Sequence, residues 1–434
     1  MDDFRYIDGA LHCEGVPASE IARRAGTPCF VYSRATLEGH YSRLAHAFAS
    51  VSPLICYSVK CCSNLSILRL LVGLGSGMDV VSGGEVRRAL QAGCDPAKIV
   101  YAGVGKSDEE IRLALSNHIG LFNVESEMEF ENLSRLAAEM GIPARAALRV
   151  NPDVDPRTHR YTTTGKRESK FGVDIERALA FFDSYGRDPF VRVDGIHLHL
   201  GSPIYTTAPY IEGLEKALAL IDELERRGFA IHALDLGGGF GADYESEQAP
   251  SAAEYAAALL PLLLPRATGA TGATPLRLIL EPGRSIAANA GVLLTRVEYL
   301  KRSGDRTFAI CDAGMNALLR PSHYGAFHFV WPAEPVASMI PLKRAKEIAL
   351  PGLVRTEVVG PLCETGDFLA EDRQLPPLAR GDILAVYTAG AYGMSMASRY
   401  NSHPLPAEVL VDGSEASIIR RRETYEDLVA HEVP

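Results

Sequence analysis

No run of about 20 uninterrupted apolar residues occurs in this 434-residue chain, so no membrane-spanning helix is expected. No cluster of Lys and Arg stands out against a formal net charge of -10. That makes nucleic acid and an anionic membrane surface poor partners. The start, MDDFRYIDG, is acidic and lacks the apolar core of a signal peptide. The eight cysteines (13, 29, 56, 61, 62, 94, 311 and 363) form no CxxC pair and no regular framework. They read as reduced thiols of a cytoplasmic protein, mostly core fillers, with Cys363 the exception. A content of 47% hydrophobic and 23% charged residues excludes long disorder, and the length calls for two domains or a large barrel with an appendage.

From about residue 50 to 285, short β-rich runs alternate with helical patterns. Strands are predicted at 53–59, 77–81, 98–102, 119–124, 145–150, 193–200, 232–236 and 277–281. Helical stretches such as GGEVRRALQAG, SDEEIRLALSNH and EGLEKALALIDELERRG lie between them, the last stopped by Gly228. A doubly wound sheet also alternates, but a count of eight favours a parallel (β/α)8 TIM-like barrel. After about residue 290, runs such as VLLTRVEYL, TFAICDAG, DILAVYTAG and AEVLVDG are separated by Gly, Pro and Asp and predict a mostly β C-terminal domain. The expected division is a barrel over 30–285, with 1–29 and 286–434 forming the β-rich domain. RATGATGATP (266–275) is expected to be a loop before the last barrel strand.

A barrel carries its active site at the C-terminal ends of its strands. The first strand runs into Lys60 and the second carries Asp79. The fifth holds Arg149, and the sixth holds His199, Gly201 and Ser202. The seventh ends in Gly237, Gly238 and Gly239, and the eighth in Glu281-Pro282-Gly283-Arg284. Each has a plain structural explanation. A lysine closing a strand is as a rule a solvated edge, and a strand histidine is often only a hydrogen-bonded core residue. His197 and His199 fall on one strand face by their period-2 spacing, but no third ligand with matching spacing accompanies them, so no metal is expected. LDLGGGFGA fits a dinucleotide fingerprint in letters, yet loop rather than helix follows it. The triple glycine instead suits close approach of backbone N–H groups to an anion, with Arg284 as a charged partner. An amine, a carboxylate, an imidazole and an anion cradle are together what pyridoxal phosphate needs.

The ordered motifs YSVK, GMDVVSGGE, FNVES, LRVNPD, TTGKRESKFG, GIHLHLGS, GGGFG, EPGR, MNALLRPSHYGAFH, CETGD and AGAYGMSMASRYNSHPLPAEVLV span nearly the whole chain. It resembles the diaminopimelate decarboxylases, of the alanine-racemase/ornithine-decarboxylase class of pyridoxal-phosphate enzymes. The resemblance implies that Lys60 takes the cofactor's aldehyde and that Glu281 pairs with the ring nitrogen. It also implies that His199 stacks on the ring with Asp79 nearby, and that Arg149 lies near the phenolic oxygen. Ser202, Gly237 to Gly239, Arg284 and Tyr392 are implied at the phosphate. Arg284, Arg320, Tyr324, Glu364 and Tyr392 are implied at the substrate's distal amino-acid group, and Cys363 as the proton donor. Cys363 and Glu364 are implied to serve the other subunit of a homodimer with shared sites. The chain departs from the usual pattern at Pro203, Cys61-Cys62, the threonine of CETGD and His403. Pro203 leaves open a related decarboxylase acting on another amino acid. An inactive partner-binding homologue would be marked by loss of Lys60 or Cys363, and both are present.

Overall fold

The computed structural model describes residues 3–155, 170–270 and 274–433. Most of the TTGKRESKFG motif, the centre of RATGATGATP and the first two residues lie outside the described residues. Chain contacts divide the molecule into two compact units. One comprises His40–Gly241 and Ala249–Gly283, the other Met1–Gly39, Ala242–Gln248 and Arg284–Pro434.

The first unit is a closed barrel of eight parallel strands: β1 (Leu54–Ser58), β2 (Gly77–Val80), β3 (Ile99–Tyr101), β4 (Leu121–Val124), β5 (Ala144–Asn151), β6 (Val191–His197), β7 (Ala233–Asp235) and β8 (Arg277–Leu280). Each pairs with the next, and β8 returns to β1. All eight predicted strands are present, several a residue or two shorter. Every residue of β2, β3, β4 and β7 is buried, as expected for strands covered by helices outside and side chains inside. Cys56, Val100, Leu121, Ala147 and Ile279 pack together as one core cluster.

The connecting helices start where the sequence supplies caps. Ser82 Oγ accepts the Glu85 N–H at the start of α1 (Gly83–Gln91). Ser107 with Glu110, and Ser251 with Glu254, form complete capping boxes. The helix Ala208–Arg226 stops just before Gly228, which takes φ +84°, a left-handed conformation that glycine adopts freely. One expectation is corrected: the helix Ala252–Thr268 runs into the supposed loop at 266. Arg266 explains this, because its buried guanidinium pairs with Asp222 at 2.8 Å and Glu225 at 3.2 Å.

The second unit is mostly β, as predicted. Its main sheet orders strands Phe368–Leu375, Val354–Val359, Arg306–Cys311, Gly291–Ser303, Cys29–Ser33, Ala407–Asp412 and Glu415–Arg420. Ile383–Val386 pairs with Gly291–Ser303 and with Val330–Pro332. Phe4–Ile7, Ala10–Cys13 and Val16–Pro17 make a small antiparallel sheet. Among the described residues no helix is long and apolar enough to cross a membrane.

Candidate active site

β1 ends at Ser58, and one 3-10 turn (Val59–Cys61) carries Lys60 past the strand end. Lys60 Nζ lies 2.5 Å from Asp79 Oδ2 and 3.2 Å from Ser58 Oγ; the Ser58 hydroxyl also donates to Asp79. Asp79 is fully buried and the Lys60 side chain is 35% exposed, so the amine bridges a buried charge and open space. Burial and the neighbouring Glu281 push the Asp79 carboxyl up, while Lys60 and Ser58 pull it back. Its Oδ1 has no hydrogen-bond partner among the described residues.

Glu281 follows β8, and its environment comes from three other strands. Asn123 Nδ2 donates to Glu281 Oε1 at 3.3 Å and to Asp235 Oδ2 at 3.2 Å. His197 Nε2 is 3.5 Å from Glu281 Oε2, and neither of its ring nitrogens has a hydrogen-bond partner among the described residues. Burial and Glu281 push Asp235 well above the usual carboxylate range. Burial alone also raises Glu281, but His197, Lys60 and a proton on Asp235 more than offset it and leave Glu281 below that range. The two acids thus divide unequally: Glu281 is ionised and Asp235 holds a proton. Spacing along the chain gave His197 no ligand partners, and here the structure differs. His197, Asp235 and Glu281 bring their ligand-type atoms within 4.8 Å of one another, because neighbouring strand ends of a barrel meet regardless of sequence distance.

His199 lies two residues past the end of β6, and its Nδ1 accepts the Gly238 N–H at 3.3 Å. Burial, and then the charges of Arg149 and Lys60, push this imidazole well below its usual value, so it is neutral. A Cβ at Gly237 would meet Leu198 O at 2.3 Å, one at Gly238 would meet Glu281 O at 2.2 Å, and one at Gly239 would meet Gly201 O at 2.4 Å. The triple glycine therefore lets three strand ends close on one another. Two of its N–H groups are already engaged, Gly237 with Asp235 and Gly238 with His199, which leaves Gly239 as the available donor among the described residues. Arg149 Nη1 reaches Glu125 Oε1 at 3.0 Å and Oε2 at 3.1 Å. Its Nη2 is buried without a partner among the described residues. Ser202 follows Gly201 and is half-buried.

The second unit holds its own cluster. Arg284 Nη1 donates to Tyr244 Oη at 2.6 Å, and its guanidinium lies 4.8 Å from the Tyr392 ring. Arg320 opens a short helix (Arg320–Tyr324) and lies 5.1 Å from the Tyr244 ring and 5.6 Å from the Tyr324 ring. Its Nε donates to His328 Nε2 at 3.3 Å. Arg320 is 6% exposed, yet no acidic side chain pairs with it among the described residues. Burial pulls this guanidinium down, Tyr244 raises it and Arg284 lowers it further. A buried cation without an anion is costly, and a carboxylate-bearing ligand is the natural remedy. Cys363 and Glu364 are exposed in the turn after Val354–Val359. The buried Asp367 carboxylate braces that turn by accepting the Leu362 and Met315 N–H groups, both at 2.6 Å.

A family model described as pyridoxal-dependent decarboxylase, pyridoxal binding domain, matches residues 34–288. A diaminopimelate decarboxylase of Pseudomonas aeruginosa is 48% identical over 432 residues, covering 100% of this chain and 99% of its own. The chain belongs to the diaminopimelate decarboxylase family. These are pyridoxal-phosphate-dependent carboxy-lyases. The family's solved structures include a diaminopimelate decarboxylase from Helicobacter pylori complexed with L-lysine (39% identity, TM-score 0.87, covering 95% of this chain and 98% of that one). One from M. jannaschii in co-complex with L-lysine superposes with a TM-score of 0.91 at 35% identity, covering 100% of this chain and 98% of that one.

The barrel residues fit this cofactor. Lys60 supplies a reachable amine, Glu281 an ionised acid and His199 a neutral ring. The orphaned Asp79 Oδ1 and Arg149 Nη2 are buried polar atoms left for a polar guest. Asn123, Glu125, Asp235, Tyr244 and His328 were not anticipated. Asn123 and Glu125 stand in the motif FNVES and His328 in GAFH, so position within motifs was the available signal; Tyr244 carried none.

Proposed function

We propose that this chain decarboxylates meso-2,6-diaminopimelate to L-lysine and CO2. Pyridoxal phosphate, when bound, supplies an electron sink for the electron pair left behind as CO2 departs. Lys60 would present its amine to the cofactor's aldehyde, with Asp79 holding Nζ in place. Glu281, kept ionised by its surroundings, would keep the ring nitrogen protonated. His199, neutral and anchored by Gly238, offers a ring face. Ser202, Gly237 to Gly239, Arg284 and Tyr392 are assigned to the phosphate, with Gly239 the donor still available in the triple glycine. Arg149 is assigned to the phenolic oxygen.

The observation that carries the substrate is Arg320, buried and without an acidic partner among the described residues. A plain diamine precursor has no distal carboxylate to satisfy it, whereas diaminopimelate has one, and a guanidinium fork suits its two oxygens. Tyr324, Tyr392 and Arg284 complete the distal site, with Glu364 for the distal ammonium. Cys363 Sγ delivers a proton to the carbon that has lost CO2. The exposure of Cys363 and Glu364 suits residues that act in the site of a second copy, so the working form is a homodimer with shared sites. The burial of the other seven cysteine thiols suits a cytoplasmic enzyme. The test is CO2 release by the pyridoxal-phosphate-loaded protein from a panel of meso-diaminopimelate, L-lysine, L-ornithine and L-arginine. Release from meso-diaminopimelate alone is expected; release only from another member would overturn the assignment.

A further inference from the structure

His328 is completely buried, and both of its ring nitrogens have identified partners. Nδ1 lies 2.9 Å from the Tyr387 carbonyl oxygen. A carbonyl only accepts, so Nδ1 carries a hydrogen. Arg320 Nε lies 3.3 Å from Nε2. A guanidinium only donates, so Nε2 carries a lone pair. The two partners together fix one neutral tautomer. Burial, and then the positive charge of Arg320, push this imidazole down to about 3, which keeps it neutral throughout the working range. The Tyr244 ring stands edge-on to His328, with centroids 5.3 Å apart at 89°, and the same ring lies 5.1 Å from the Arg320 guanidinium. Imidazole and phenol thus brace one guanidinium by two contacts.

A guanidinium can grip a carboxylate side-on, through Nε and one Nη, or end-on, through both Nη nitrogens. With Nε held by His328, only the end-on mode remains. We propose that His328 is a positioning residue that claims Arg320 Nε and so commits the arginine to end-on recognition of the substrate's α-carboxylate at the distal amino-acid group. This rests on the assignment of Arg320 to that carboxylate, made above.

L-lysine and cadaverine differ by that one carboxylate, so their binding to the loaded enzyme isolates it. Two substitutions separate the two bonds of His328. His328→Gln retains an acceptor at the Nε2 position and loses the donor to Tyr387. His328→Asn retains the donor to Tyr387 and cannot reach Arg320. Calorimetry on the pyridoxal-phosphate-loaded wild type is expected to show a preference for L-lysine over cadaverine. In His328→Asn, L-lysine affinity is expected to fall by about tenfold or more, the scale of a hydrogen bond to a charged group, with cadaverine unchanged. The KM for meso-diaminopimelate should rise with little change in kcat, and His328→Gln should restore most of the loss. Full L-lysine preference in His328→Asn would overturn the proposal. So would the reverse order, with Gln damaging and Asn tolerated, since His328 would then serve only to support the Tyr387 strand. A wild type that fails to distinguish the two ligands would instead remove the carboxylate assignment of Arg320 itself, and with it the premise.

Discussion

Glu85 stands in the first turn of α1, half-buried, with Oε2 accepting the Val81 N–H at 2.8 Å. Burial pushes its carboxyl from 4.5 to about 7; the Val81 N–H, Lys60 and Arg88 pull it down and Asp79 pushes it up. A folded-state value above the unfolded one means that the folded protein binds the proton more tightly. The associated stability is fully present below about pH 4.5 and is lost as pH rises through about 7. At 1.36 kcal/mol per unit, the loss approaches about 3 kcal/mol once Glu85 is ionised. Glu85→Gln keeps an acceptor for Val81 and cannot ionise. It should therefore match the wild type near pH 4.5 and exceed it by about 3 kcal/mol at pH 8. Urea midpoints read by far-UV circular dichroism suit the measurement, because the long helices belong to the barrel unit. Fluorescence does not, since the single tryptophan, Trp331, lies in the other unit. A stability difference that does not change with pH, or one that favours the wild type at pH 8, would refute the reasoning.

Lys60→Ala is expected to abolish the visible absorbance of the bound cofactor; if that band survives, another amine carries it. Cys363→Ala should bind cofactor normally and lose about a hundredfold or more in turnover, the usual scale for a general acid, and unchanged turnover would reassign the proton. Gly238→Ala places a Cβ 2.2 Å from the Glu281 carbonyl oxygen. It should lower stability by about 1–3 kcal/mol, the typical cost of overpacking, visible as a reduced melting temperature. An unchanged melting temperature would mean that the strand ends yield freely.

The barrel was legible because parallel strands buried on both faces read as short apolar runs, and eight of them alternate with helices, several of which are capped. Lys60, Asp79, His199 and Glu281 were legible because each falls at or just beyond a strand end. What sequence order hides is closure. Asp235 and Asn123 are ordinary letters in LDLGGG and FNVES, and only the ring of strands brings them to Glu281. His197 lacked partners for the same reason. The triple glycine was read as a cradle for an anion, yet each missing Cβ also makes room for a neighbouring backbone carbonyl. The loop expected from 266 starts three residues late, because a small-residue run masked one buried arginine that ties its helix to the preceding one. Tyr244 was invisible because it lies in a seven-residue excursion, Ala242–Gln248, that leaves the barrel unit and returns.

Seven of the eight thiols are buried and Cys363 is exposed. A thiol-directed label should therefore mark one position per chain without any engineering. If a second copy covers that position on assembly, the labelling rate will fall as protein concentration rises. The residue assigned to proton delivery would then double as a built-in gauge of association, readable without cofactor, substrate or mutation.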